Sequence, residues 1–408
     1  MPATSTKVRG VLPAIVTDYA LTHLGFFVVM PILPLLLGAA FASESATWTG
    51  VALGAMAFAM RGGSLFVSGW MHRSSVRASV LVGLLLAAAG FVVTAAATQP
   101  LIVTLALSAA GLGFSMNGIA SRGYVALRVP DKADQNTVFG VIQVVVNVAA
   151  AIGPILANLL LGRQAFAWAL LGTAALLGLA ALVVPLLIPA DSHLAEGATR
   201  PPLKIRLLVD LVTDRGLRRI SVVVLVGGVL YGQFFSSLAV MINRSTEEPL
   251  LRAGFYTVNA VLVVVAQLPV TALVNRLMTR VARPIDVLVA GICLFGAAFG
   301  LVAAGGGSLL FAYLAITVFS LGETLYTPMV NTAFLDAAHG RPVVEAFNLR
   351  QVATAVGESL GALAGGWLYL EAIARGLEDR YWSVLALTAV LTLPFLLRRS
   401  PHGRVAAE

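Results

Sequence analysis

Along this chain, long apolar runs are separated by short polar breaks, and the runs share one length class. A helix crosses a ~30 Å hydrocarbon core in roughly 17–25 residues. Twelve runs reach that length, at about 10–40, 47–71, 77–98, 101–127, 137–161, 165–189, 219–243, 251–276, 284–304, 308–335, 345–371 and 381–398. One break is long and strongly polar: 190–218 carries Arg200, Pro201, Pro202, Lys204, Arg206, Arg215 and Arg218, with Arg219 directly after it. It separates six spans from six. The pattern predicts an all-α membrane protein of twelve transmembrane helices in two six-helix bundles. The N-terminal bundle is expected over 1–189, a linker over 190–218 and the C-terminal bundle over 219–408. The first run follows Lys7 and Arg9 as a secretory signal would, but it is too long and holds Asp18, Pro31 and Pro34. It reads as helix 1.

Composition removes the soluble alternative. Apolar residues make up 59% of the chain and charged residues 11%, with a mean hydropathy of +0.91. A water-facing surface draws on about a quarter charged residues, so the bilayer is the expected surroundings. The net charge of +8 lies between the spans and marks orientation, not nucleic-acid binding. With the N-terminus inside, 19 of the 27 Lys and Arg residues fall on the inner side, 5 on the outer side and 3 within spans. Both termini are therefore expected in the cytoplasm. The single cysteine, Cys293, rules out an intramolecular disulfide.

Small residues and prolines foretell packing and bends. Gly357, Gly361, Gly365 and Gly366 in helix 11, and Gly50 and Gly54 in helix 2, should bring neighbouring backbones close. Pro31, Pro34, Pro154, Pro269 and Pro328 remove backbone donors within spans.

Several local strings then carry a family resemblance. Asp18 followed by Leu24-Gly25-Phe26-Phe27-Val28-Val29-Met30-Pro31 resembles helix 1 of the twelve-helix drug/proton antiporters of the major facilitator superfamily, notably their MdtH-type multidrug efflux subgroup. Gly153-Pro154 resembles the first half of the antiporter motif, although Ala157 and Asn158 stand where two glycines follow it. Gly365-Gly366-Trp367-Leu368 at the end of helix 11 is also similar to that subgroup. The loop between helices 2 and 3 departs from the family's acidic motif. His72 stands where the Asp should be, Ser68 and Ser75 stand for glycines, and Arg73 and Arg77 match. The arginine usual in helix 4 is missing from Leu107, Ser108, Ala109, Ala110, Gly111.

A charge at the bilayer centre costs roughly 2.5–3.5 kcal/mol on insertion scales, so each needs a partner, a wet cavity or a task. Six qualify: Asp18, Arg61, Arg122, Glu323, Arg350 and Glu358. A carboxyl alternately wet and buried can load and release a proton, which makes Asp18, Glu323 and Glu358 the proton-coupling candidates. The alternative for Asp18 is a static pair with Arg122. Arg61 is the deepest arginine and a candidate for substrate or carboxylate contact, whereas Arg122 and Arg350 suit gating or snorkelling.

The resemblance implies that helices 1, 4, 7 and 10 line a cavity. Asn117 and Ser121, Tyr231 and Phe235, and Tyr326 are then expected to bind substrate along with Arg61. His72, Arg73, Arg77, Arg122, Gly153, Pro154 and Arg350 are expected to gate. Gln143, Asn147, Asn259 and Gln267 are expected as interhelical hydrogen bonds, and His23 as a packed or pore-edge residue.

The implied function is proton-coupled export of a small amphipathic molecule by alternating access. The implied partners are that substrate, protons and lipid, with a monomer in the bacterial inner membrane and no cofactor. There is no Walker loop or His/Cys metal cluster, which argues against an enzyme. A proton-symporting importer of a small organic anion, and a membrane receptor or lipid-handling protein on the same fold, stay open.

Overall fold

The computed structural model of the chain describes residues 6–41, 45–129, 132–161, 166–190, 209, 212–278, 283–337 and 343–394. The first half contains α1 (Thr6–Val29), α2 (Leu33–Ala40), α3 (Ser45–Arg73), α4 (Val76–Ala96), α5 (Pro100–Arg128), α6 (Lys132–Leu161) and α7 (Phe166–Leu187). The second contains α8 (Arg215–Tyr231), α9 (Ser237–Ser245), α10 (Pro249–Met278), α11 (Pro284–Gly305), α12 (Leu309–Ala337), α13 (Val343–Ala374) and α14 (Glu378–Val390). Most of the 190–218 linker lies outside the described residues.

Two spans expected as single helices are broken. Helix 1 is interrupted at Met30–Ile32, between α1 and α2. Pro31 brings no amide hydrogen, and Pro34 sits in the first turn of α2, where none is needed. Helix 7 turns over 232–236, between α8 and α9, with no proline present. Side chains stand in there for lost backbone bonds. The Gln233 amide donates to the carbonyls of Val229 and Gly361, both at 3.0 Å. Its oxygen accepts from Ser237 and Tyr381, both at 2.7 Å. The two breaks occupy corresponding places in the two halves, and α2 packs against α9.

Each half has its own apolar core. Leu84, Phe91, Leu107, Tyr124 and Val184 lie in the first, and Phe255, Phe295, Phe299, Phe319 and Trp382 in the second. Around them the outward faces stay apolar: Leu105 (61% exposed), Leu182 (71%) and Leu310 (66%) would be unfavourable in water and fit lipid tails. Eight described helices are long and apolar enough to cross a membrane. Others miss that measure because helix 7 is broken, because α14 has only 13 residues, or because polar residues dilute the span, as Arg350 and Glu358 do in α13. The molecule is an all-α membrane protein.

The halves meet along α3 with α13 and along α6 with α10. Glycines set the first seam. A Cβ on Gly50 would lie 2.5 Å from the Leu363 carbonyl oxygen and 2.6 Å from Trp367 Cβ. One on Gly366 would lie 2.8 Å from Gly50 Cα. Within the second half, Gly357, Gly361 and Gly365 press against Leu225, Val229 and Ser236 around the helix 7 break. The predicted small-residue stripes are packing surfaces.

Candidate transport cavity

Between the halves lies a cavity of about 430 Å³, walled by α1, α3, α5 and α6 on one side and α8, α10, α12 and α13 on the other. It has two unlike ends. Toward the helix breaks, Phe26 packs edge-on against Phe114 (5.7 Å between centroids) and against Phe235 of the opposite half (5.8 Å). Phe27 also meets Phe235, at 6.1 Å. The other end is polar. Arg122 and Arg350 lie there, roughly 10 Å along their helices from the side on which α1 begins. Gln143 and Asn147 sit one turn apart on α6, and Gln143 and Arg122 are exposed. The cavity therefore opens toward the side carrying the N-terminus, and aromatic rings close it on the other.

Three acids stand in or against this cavity, and each is held differently. Glu358 on α13 accepts from Arg61 Nε of α3 at 2.6 Å, an ion pair across the seam between halves. The glycine contacts described above bring these two helices close enough for it. Gln351 adds a second cross-link, its amide donating to the Arg61 carbonyl at 2.7 Å. Glu323 on α12 accepts from the Tyr231 hydroxyl and from the Asn259 amide, both at 2.9 Å. Asp18 on α1 is only 1% exposed and accepts from the Asn117 amide (2.8 Å) and the Ser121 hydroxyl (2.5 Å) of α5. Two neutral donors satisfy each of the last two carboxyls without supplying a fixed positive charge. Such a site tolerates either the charged or the protonated form better than an ion pair would.

The alternative for Asp18, a static pair with Arg122, does not form. Arg122 instead lies beside Tyr19 and His23, and His23 stacks on Tyr19 with centroids 4.9 Å apart. Of the residues expected to contact substrate, Arg61, Asn117, Tyr231 and Phe235 line the cavity. Ser121 and Tyr326 do not. Ser121 is turned onto Asp18, and the Tyr326 hydroxyl donates to the Val224 carbonyl at 3.0 Å, so both back the wall instead of forming it.

Of the residues expected to gate, Arg122 and Arg350 are in the cavity itself. Gly153 is where α6 touches α1, since a Cβ there would lie 2.5 Å from Phe27 Cβ. Pro154 follows it inside α6, and Asn158 donates to its carbonyl at 2.8 Å. Arg77 donates to the Pro185 carbonyl near the end of α7, and Arg73 is exposed at the end of α3. The His72 side chain lies outside what the structure describes. Ser75 has a clear local role, capping α4 by accepting from the Ala78 amide at 3.1 Å.

Residues not named as substrate contacts also reach the cavity. Asn259 and Gln267 make the expected interhelical bonds, to Glu323 and to the Thr324 carbonyl. Gln143 and Asn147 line the cavity, as do His23, Met56 and Met60. The available signal was the four-residue spacing of Gln143 and Asn147 in an otherwise apolar run, which puts both on one face.

Comparison with known proteins places these features in context. Residues 19–347 match the Major Facilitator Superfamily. The chain is 25% identical over 397 residues to the multidrug resistance protein MdtH of Cronobacter sakazakii, covering 95% of this chain and 94% of that one. It is 26% identical to the MdtH of Photorhabdus laumondii over 95% and 94% of the two chains. Among solved structures, a peptide transporter of the POT type superposes with a TM-score of 0.76 at 13% identity, over 96% and 94% of the chains. The nucleoside transporter NupG superposes at 0.74 and 12% identity, over 94% and 99%. These structural likenesses establish the fold.

Proposed function

We propose that this chain, which belongs to the major facilitator superfamily, exports a small amphipathic organic molecule in exchange for protons by alternating access. The observation that carries the reading is the Arg61–Glu358 ion pair between the two halves, inside a cavity that also presents Glu323. A carboxylate that bridges the moving halves gives up that bridge when it takes a proton, so proton binding and rearrangement are linked. Asp18 supplies a protonatable group in the first half, and Glu323 a further one in the second. The MdtH relatives, multidrug resistance proteins by name, support the efflux direction. The apolar and aromatic wall with a few polar groups suits an amphipathic ligand. With both termini cytoplasmic, as the basic residues suggest, the described conformation faces inward.

The test is reconstitution of the full chain in proteoliposomes with a trapped pH indicator. Adding transported compounds should drive protons opposite to substrate flux. Protons moving with substrate would favour the importer reading. No substrate-dependent proton movement, with counterflow of labelled substrate intact, would make the chain a facilitator.

A further inference from the structure

We infer that the transported molecule carries an anionic group and that Arg122 receives it. This rests on reading the cavity as the transport site. The charged groups at the cavity are held unequally. Glu358 is neutralised by Arg61, Glu323 is held by Tyr231 and Asn259, and Asp18 is held behind the wall by Asn117 and Ser121. Arg122 is different. It lines the cavity, is exposed to it, and has no carboxylate within ion-pair distance among the described side chains. Arg350 lies close enough to Arg61 and Arg122 for like charges to be felt and close enough to Glu358 for that carboxylate to offset them in part, which leaves Arg122 as the guanidinium that faces the cavity without a carboxylate among the described side chains.

A guanidinium in the membrane region that simply snorkelled would point to the lipid headgroups, but this one points into the cavity. Gln143 and Asn147 line the same cavity with amides that bond to no described residue. They add neutral donors of the kind that complete the shell of a carboxylate or sulfonate. The opposite end, at Phe26, Phe114 and Phe235, offers ring faces and edges and no charge. A ligand therefore has one favoured orientation: apolar rings toward the aromatic end and the acid toward Arg122. Planar, bidentate recognition of an oxyanion is what a guanidinium does best. The inference concerns the ligand's charge and orientation and holds for either direction of transport.

The probes are 2-naphthoate, 2-naphthamide and 2-naphthylmethylammonium, which share one ring system and differ in charge. Binding to the full chain in lipid nanodiscs is measured by calorimetry. The naphthoate should bind at least roughly tenfold tighter than the amide, as expected when a bidentate ion pair with the guanidinium replaces a single hydrogen bond to an amide oxygen. Arg122→Gln should remove that preference by weakening the naphthoate far more than the amide, with an unchanged melting temperature showing that the fold is intact. Arg122→Met serves as a second neutral variant should the first fail to fold. Equal or better binding of the amide or the ammonium overturns the inference. So does an unchanged preference in the variants, or naphthoate binding weaker than about 1 mM. A chain that couples protons but prefers the ammonium leaves the proposed function standing and removes this inference. One that binds naphthoate through Arg122 but moves no protons does the reverse.

Discussion

Arg61 Nε and Glu358 Oε2 lie 2.6 Å apart although the residues are separated by 297 positions, and each belongs to a different half of the molecule. The pair joins α3 to α13 beside a cavity, with the arginine side chain 43% exposed and the glutamate 11%. Removing one partner leaves a charge in a poorly solvated place, whereas removing both leaves two neutral groups. Arg61→Gln and Glu358→Gln should each lower thermal stability, and the double variant should lose less than their sum. The exposure of Arg61 keeps the coupling to about 1 kcal/mol. Melting curves of the four proteins in one detergent check this, and strict additivity would show that the contact is not an energetic pair.

The glycine seam makes a sharper stability prediction. A methyl group on Gly50 meets the Leu363 carbonyl oxygen and Trp367 at 2.5–2.6 Å, so Gly50→Ala must push α3 away from α13. Overpacking of this kind costs typically 1–3 kcal/mol. Gly172 on α7 has nothing within 4 Å of an added Cβ, and Gly172→Ala should be neutral or stabilise by up to ~1 kcal/mol through helix propensity. Thermal unfolding of both variants decides. Equal effects would mean that the seam is loose.

Orientation is open to direct chemical mapping. In a Cys293→Ser background, a cysteine at Ser192 should react with a membrane-impermeant thiol reagent only from the cytoplasm. One at Ser45 should react only from outside. These sides follow from the excess of basic residues on one side of the spans. Labelling of position 192 from outside would invert the topology, and with it the inward-facing assignment of the cavity.

Much of this was legible in the sequence because the bilayer is a demanding solvent. Span length, the six-and-six division and the glycine stripes follow from backbone satisfaction and close packing, which leave periodic traces. Asp18, Arg61, Glu323 and Glu358 were visible because a charge in a span is costly. Their partners were not. Asn117 and Ser121 announce one face of α5, but nothing local says that Asp18, 99 and 103 residues earlier, fills it. Depth counting came nearer for Arg61 and Glu358, which lie twelve and fifteen residues from the ends of α3 and α13 on the same side of the molecule. The helix 7 break was invisible for a different reason. It depends on Gln233 bonding to Gly361 and Tyr381, contacts 128 and 148 residues away. Arg122 and Arg350 were expected at a gate because only their distance from the helix ends could be read, and not the direction in which they point.

Proton coupling through buried carboxyls is the centre of this account, and amide substitution tests it most directly. Asp18→Asn, Glu323→Gln and Glu358→Gln each preserve shape and remove the exchangeable proton. In proteoliposomes, two assays are run on each variant: uphill accumulation driven by an imposed pH gradient, and exchange of labelled substrate at equal concentrations. Asp18→Asn should abolish accumulation while retaining part of the exchange, and at least one of Glu323→Gln and Glu358→Gln should do the same. If all three variants still concentrate substrate against its gradient when protons are supplied, coupling does not run through these residues and the account is wrong.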